Sequence, residues 1–157
     1  MMLSLRLKME TRMPTIHIQG EDLPYEATDI ITFDEGLIGF PELKRLVLIR
    51  QSSIEPFFWL ASVDDPDVVF LVVDPRPFFP HYKMELLDAG HIHRAAVADE
   101  KLLVLAISVI APEWKESKIN LRAPLFISPS TMRGIQFVLS DSPYRSDEQF
   151  PQQAIAA

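Results

Sequence analysis

The sequence contains no cysteine, few glycines and no long apolar run. Without cysteine the chain can form no disulfide, thiolate metal site or cysteine nucleophile, which is typical of a protein in a reducing cytosol. The longest nearly apolar run, residues 102–111, is interrupted by Ser108 and is far shorter than the roughly 18–20 residues of a membrane-spanning helix. No uninterrupted apolar stretch follows the charged residues of the first dozen positions, so we predict no secretory signal. We therefore expect a cytoplasmic protein without a membrane segment.

Basic residues are also in deficit. The chain has 15 lysines and arginines against 22 aspartates and glutamates, for a formal net charge of −7. An acidic surface repels the phosphates of nucleic acids and attracts basic proteins, whereas nucleic-acid-binding domains usually present a basic face. We predict no direct binding to nucleic acid and expect a basic protein as the partner.

What is present is the composition of an ordinary folded domain. Hydrophobic residues make up 48% of the chain and charged residues 24%, close to the averages for soluble globular proteins. A length of 157 residues favours a single domain. We expect this domain to span residues 13–145, after an N-terminal extension at 1–12 and before a polar C-terminal tail at 146–157.

Thirteen prolines divide the chain into short apolar or alternating runs, which favour strands and turns over long helices. One short helix is predicted within residues 86–100, where Gly90 interrupts the pattern. The predicted fold is mostly β: a small, barrel-like, mainly antiparallel sheet with one or two short helices, since closure protects the sheet edges. The predicted strands cover residues 15–19, 30–33, 45–50, 57–63, 68–73, 102–110, 119–121, 125–128 and 135–139.

Two groups of residues could support chemistry. His91 and His93 could place two imidazoles on one side of an extended segment, as a metal pair requires, but no third ligand lies nearby in sequence. Asp64, Asp65 and Asp67 could act as paired carboxylates, yet Asp-Asp-Pro-Asp between two strands is typical of a turn. We favour a binding protein that is not an enzyme and needs no metal or cofactor. The alternatives are a small metal-dependent hydrolase and an RNA-binding β-barrel.

A Gly-x-x-Gly element at residues 36–39 resembles the loop with which some domains clamp a nucleic-acid backbone. Here Asp34 and Glu35 precede it, and their charge is wrong for phosphate. Because glycine adopts positive φ without steric cost, we interpret Gly36 and Gly39 as parts of a tight turn.

Aromatic residues provide the candidate partner-binding positions. Phe78, Phe79 and Tyr82 follow a predicted strand within or just after a proline-rich loop, residues 75–80. A loop stiffened by proline can hold an aromatic ring at the surface, and exposed aromatic rings are enriched in protein interfaces. We therefore predict that these three residues contribute to partner binding.

Six segments occur in a fixed order between residues 15 and 145: 31–40 (ITFDEGLIGF), 56–60 (PFFWL), 63–75 (VDDPDVVFLVVDP), 79–82 (FPHY), 119–127 (INLRAPLFI) and 136–139 (QFVL). No single segment is specific. The ordered set, however, resembles the flagellar assembly factor FliW family.

The resemblance implies a β-barrel-like fold and a regulatory binding role. FliW-like proteins bind the RNA-binding translational repressor CsrA, antagonise it allosterically, and also bind flagellin. Free flagellin captures them, which leaves CsrA able to repress flagellin translation. Several residues match the family pattern and are expected to serve the fold or a partner interface: Phe33, Gly36, Gly39, Phe40, Trp59, Asp74, Pro75, Asn120 and Pro124.

Overall fold

The structure is a computed structural model that describes residues 13–82 and 102–152. These residues contain eleven β-strands and three single-turn 3₁₀ helices, at Ala27–Asp29, Ser52–Ile54 and Trp114–Glu116. In the described ranges no helix is long and apolar enough to cross a membrane. The strands are β1 Thr15–Ile18, β2 Glu21–Pro24, β3 Ile30–Thr32, β4 Arg45–Arg50, β5 Phe58–Ser62, β6 Val69–Val73, β7 Leu103–Val109, β8 Lys118–Ile119, β9 Leu125–Ser128, β10 Arg133–Gln136 and β11 Glu148–Gln149.

Seven of the strands close into a barrel, in the order β7-β6-β5-β4-β3-β10-β9, with β9 pairing back to β7. Strands β8 and β11 extend the sheet beyond β7, and β1 and β2 form a separate hairpin. Every pairing is antiparallel except that of β3 with β10, which consists of the single pair Thr32–Arg133. The predicted mostly β, mainly antiparallel barrel is therefore confirmed.

The barrel is filled by one apolar cluster and covered outside by two more. The interior contains alternate residues of the strands, such as Leu46, Leu60, Val72 and Leu105. Because successive side chains of a strand point to opposite faces, their neighbours face outward. The β1–β2 hairpin covers the outer face of β4 and β5, where Val47, Ile49, Trp59 and Ala61 lie.

The second outer cluster covers β7 and β9, and it includes Phe150. Phe150 is only 2% exposed, and the preceding strand, β11, pairs with β8. The ordered domain therefore continues past the boundary predicted at residue 145. Sequence alone did not indicate this, because polar residues surround Phe150, whereas its burial depends on aromatic side chains far away in the chain.

Most predicted strands are present, with shifts of one or two residues at their ends. Strand β2 was not predicted because its sequence, Glu-Asp-Leu-Pro, is polar and contains proline; it pairs with β1 along all four residues. Strand β10 begins two residues earlier than predicted. The predicted helix at 86–100, the extension at 1–12 and the end of the tail, 153–157, lie outside the described residues.

Candidate functional site

Two of the connections between strands and the end of a third strand lie together at one end of the barrel. Loop 33–44 joins β3 to β4 there, and turn 63–68 joins β5 to β6. Strand β7 is antiparallel to β6 and so ends at the same place, with Val109. We call this surface, made of loop 33–44, turn 63–68 and the end of β7, the barrel mouth.

Loop 33–44 covers the mouth and is anchored in the barrel interior. We call this loop the lid. Phe33 and Leu37 are buried in the interior cluster. Leu37 and Phe40 bond to each other through both backbone N–H groups, at 3.1 and 2.7 Å. Gly36 and Gly39 have φ of +66° and +86°, so the tight turn predicted from the two glycines is present, with positive φ at both. A Cβ at Gly36 would lie 2.5 Å from the Pro41 carbonyl oxygen, so this position also lacks space for a side chain.

The same loop exposes apolar side chains at the mouth. Ile38 is 54% exposed and Phe40 is 40% exposed. The Phe40 ring packs edge-on against Phe70 of β6, with centroids 5.7 Å apart. The register that pairs Leu71 with Ser108 places Val109 opposite Phe70, and directly opposed residues share one face of a sheet. Val109 is 67% exposed.

Carboxylates surround these apolar residues. The loop 33–44 and the turn 63–68 contain one lysine and six acidic residues: Asp34, Glu35, Glu42, Asp64, Asp65 and Asp67. Two ion pairs form here, Asp34 with Arg133 at 2.7 Å and Asp64 with Arg45 at 2.9 Å. The hydrogen bonds that the Arg45 guanidinium donates to the Asp64 carboxylate raise the pKa of Arg45. In the ranges 13–82 and 102–152 the other four carboxylates make no ion pair.

The three aspartates of turn 63–68 form the turn that the sequence predicted. The Ser62 hydroxyl oxygen accepts a hydrogen bond from the Asp65 N–H at 2.9 Å, and the Asp65 carboxylate accepts one from the Asp67 N–H at 3.2 Å. No cluster of three or more histidines, aspartates or glutamates suited to a metal ion occurs within the described part of the chain. His91 and His93 lie outside it.

A small cavity of about 170 Å³ lies beside the lid, between residues 34–36 and β10 residues 134–136. It marks where β3 and β10 separate after their single pair. Gln136 spans this gap, because its side-chain oxygen accepts a hydrogen bond from the Ile38 N–H at 2.8 Å and its amide group donates one to the Ala123 carbonyl at 3.1 Å. The lid is thus bonded to β10 across the gap between β3 and β10.

The predicted aromatic positions lie elsewhere, in the outer cluster beside β7. Phe78 and Phe79 are half-buried, and their rings pack 5.3 and 6.4 Å from Phe150. Tyr82 is 0% exposed, and its hydroxyl donates a 2.7 Å hydrogen bond to the Leu121 carbonyl, so the structure places it in the core and not at the surface expected from the sequence. A partner role for Phe78 and Phe79 stays a prediction.

The remaining motif residues have structural contacts. Trp59 packs under the β1–β2 hairpin and donates its indole N–H to Gln51 at 3.0 Å. Asp74 accepts hydrogen bonds from the backbone and the guanidinium of Arg76, the latter at 2.8 Å, and this bonding raises the pKa of Arg76. Buried Pro75 follows it.

Asn120 and Pro124 bound a break between β8 and β9, which both pair with β7. The Asn120 side-chain oxygen accepts hydrogen bonds from the backbone N–H groups of Arg122 and Ala123, at 3.2 and 3.0 Å. Asn120 therefore bonds to the backbone of the segment between β8 and β9. These hydrogen bonds stabilise the turn between the two strands.

Val109, Phe70 and Ile38 were not identified as site residues from the sequence. Each belongs to an apolar run or motif that predicts a buried strand or turn, and only the barrel geometry shows which apolar residues emerge at the mouth. One sequence feature could have indicated that Val109 is exposed: Val109 and Ile110 lie at the end of a predicted strand and are soon followed by the polar residues Glu113 and Lys115.

Comparisons with known proteins agree with this architecture. A family model described as FliW protein matches residues 16–150. The flagellar assembly factor FliW of Caldanaerobacter subterraneus subsp. tengcongensis is 38% identical over 122 residues, covering 76% of this chain and 81% of that protein. The Geobacter sulfurreducens protein of the same name is 34% identical over 134 residues, covering 85% and 83%.

A solved structure has the same fold. The crystal structure of a flagellar assembly factor FliW matches with a TM-score of 0.71 and 26% sequence identity, over 89% of this chain and 97% of that one. The family model covers most of the domain, including β11 and Phe150 at its end. The chain therefore belongs to the FliW family of flagellar assembly factors.

Proposed function

We propose that this chain is a cytoplasmic, non-enzymatic regulator of flagellar assembly that binds the translational repressor CsrA and flagellin. Binding to CsrA relieves repression allosterically, without occupying the RNA-binding surface. Flagellin competes for the chain, so accumulation of unexported flagellin leaves CsrA free to repress flagellin translation. Export of flagellin reverses this state.

The observation that carries the proposal is the family match over residues 16–150, which spans every described strand from β1 to β11 except the first residue of β1. The charge supports the choice of a basic, RNA-binding partner: the chain has a formal net charge of −7, and complementary charge accelerates and orients protein association. The same charge opposes direct contact with an RNA backbone.

The surface also supports binding over catalysis. The barrel mouth offers exposed apolar side chains beside carboxylates, a combination that suits a protein interface. Its acidic residues are exposed and are used in turns and surface ion pairs, such as Asp34 with Arg133. A hydrolase needs ionisable groups that converge on a reacting atom.

The proposal is tested by following a labelled RNA bound to CsrA while the chain is added. Allosteric antagonism predicts that the affinity of CsrA for RNA falls to a plateau when the chain is at saturating concentration. It also predicts a transient complex that contains RNA, CsrA and the chain together. Added flagellin should restore RNA binding. Failure of the chain to change RNA binding by CsrA would contradict the proposal, and a shift of RNA by the chain alone would favour an RNA-binding barrel.

A further inference from the structure

We propose that the barrel mouth is the docking surface for a segment of the basic RNA-binding partner that places apolar side chains beside lysines or arginines. This inference rests on the proposed function, which supplies the partner, and adds the place and chemistry of contact. It concerns a surface separate from the aromatic cluster around Phe78 and Phe79.

The first argument is the continuity of exposed apolar surface. Phe40 contacts Phe70, and Phe70 lies opposite Val109 in the β6–β7 register. Ile38 belongs to the same lid as Phe40. Ile38, Phe40 and Val109 are all large apolar residues with substantial exposure. Contiguous exposed apolar patches of this kind mark interaction sites.

The second argument is charge complementarity. The lid and turn 63–68 contain six acidic residues and one lysine. Arg133 and Arg45 pair with Asp34 and Asp64, and the other four carboxylates remain as the acidic groups of this surface. Glu42 lies two residues after Phe40 in the turn where the Leu43 N–H donates to the Phe40 carbonyl at 3.1 Å. An apolar centre with an acidic rim fits a partner whose apolar side chains are flanked by cations.

The third argument is preorganisation. The lid is held by Phe33 and Leu37 in the barrel interior, by the Leu37–Phe40 bonds, and by the hydrogen bond from Ile38 to Gln136. A surface already fixed in shape loses little conformational entropy when a partner binds. The exposed rings and aliphatic chains at the mouth are therefore available at low entropic cost.

The test measures binding of purified CsrA by calorimetry with two matched pairs of variants. Val109→Ser removes an apolar side chain at the mouth, whereas Leu103→Ser changes the opposite end of the same strand, where Leu103 is also exposed. Glu42→Lys reverses a charge on the lid, and Glu55→Lys makes the same change in the exposed loop after β4. Circular dichroism and thermal unfolding establish that each variant is folded.

We expect Val109→Ser to weaken CsrA binding about tenfold, as the loss of an apolar hot spot at the centre of an interface does. Glu42→Lys reverses a charge in the acidic rim and should slow association and weaken binding at low salt. Both controls should bind like the unaltered chain. Equal binding by all four variants would overturn the docking surface and leave the proposed function intact. Absence of CsrA binding by the unaltered chain would overturn both.

Hydrogen exchange provides a second measurement that needs no substitution. On addition of CsrA, amide protection should increase in loop 33–44 and turn 63–68. Protection confined to other parts of the chain would contradict this site. If flagellin increases amide protection at the mouth and CsrA does not, the surface belongs to the other partner. That result would also overturn the inference.

Discussion

Phe33 lies with its ring against the backbone of Gly134, so closely that a Cβ on Gly134 would stand 2.5 Å from Phe33 Cζ. The contact occurs where β3 and β10 make their single parallel pair, Thr32–Arg133. Phe33 is completely buried in the barrel interior. The barrel therefore closes at its least paired seam by packing an aromatic ring onto a residue that has no side chain.

Replacing Gly134 with alanine should destabilise the fold, because the new methyl group would displace the Phe33 ring from the interior. We expect a loss of about 2 kcal/mol in the free energy of unfolding, typical of overpacking in a core, measured by urea denaturation. The double variant Gly134→Ala/Phe33→Leu should lose less than the sum of the two single variants. Strict additivity would show that the two positions are not coupled.

The two glycines of the lid should respond differently to alanine. Both have positive φ, which costs a residue with a Cβ roughly 1–2 kcal/mol. A Cβ at Gly36 would also clash with the Pro41 carbonyl, whereas a Cβ at Gly39 meets nothing within 4 Å. Gly36→Ala should therefore lower the free energy of unfolding clearly more than Gly39→Ala. Equal losses would contradict the described lid geometry.

Phe150 should stabilise the domain although it follows a polar segment near the end of the sequence. Its ring lies 4.6 Å from Trp114 and 5.3 Å from Phe78, centroid to centroid. Phe150→Ala should cost about 3–5 kcal/mol, as for other buried phenylalanines. Phe40→Ala is the matched control; since Phe40 is partly exposed, its loss should be much smaller in the same urea titration. A negligible effect of Phe150→Ala would place the chain end outside the folded domain.

Tyr82 should contribute through its hydroxyl group. Tyr82→Phe removes the donor to the buried Leu121 carbonyl, and leaving a buried acceptor unpaired costs about 1–3 kcal/mol. Tyr25→Phe is the control, because in the described structure the Tyr25 hydroxyl makes no hydrogen bond. Thermal unfolding should show a lower midpoint for the Tyr82 variant alone. Equal midpoints for the two variants would mean that the hydrogen bond adds nothing to stability.

The surface pair that precedes β11 should be visible in a pH titration. A hydrogen bond from the Arg145 side chain lowers the pKa of Asp147 below its ordinary value of 3.8. The stabilisation is therefore fully present above pH 3.8 and is lost as the pH falls through the lowered pKa. Carbon-13 NMR of the Asp147 carboxyl should give a midpoint below 3.8, and Arg145→Gln should raise it. An unchanged midpoint in the variant would exclude the pair in solution.

The sequence predicted the strands whose own pattern determines their structure. The apolar runs that became β6 and β7 and the two-glycine turn were predicted from local signals, because a short apolar run and a positive φ at glycine are properties of short segments. Strand β2 and the burial of Phe150 were not predicted, since each depends on a partner elsewhere: β2 on β1, and Phe150 on Phe78 and Trp114.

The candidate site was less accessible to prediction than the fold. Exposure of Phe40 and Val109 depends on where the strands of the barrel end, and those ends are determined by pairing between strands that are distant in the sequence. Tyr82 shows the same limit: an aromatic residue just after a proline-rich loop is consistent with a surface position, but in the structure Tyr82 is 0% exposed and its hydroxyl bonds to the Leu121 carbonyl.

The most direct test of the account is calorimetric titration of the purified chain with CsrA and, separately, with flagellin. We predict saturable binding in both titrations, with a negative heat-capacity change for CsrA from burial of the apolar residues at the barrel mouth. If neither protein gives heat or a complex at high concentration, the chain does not act by binding these partners, and the central claim is contradicted.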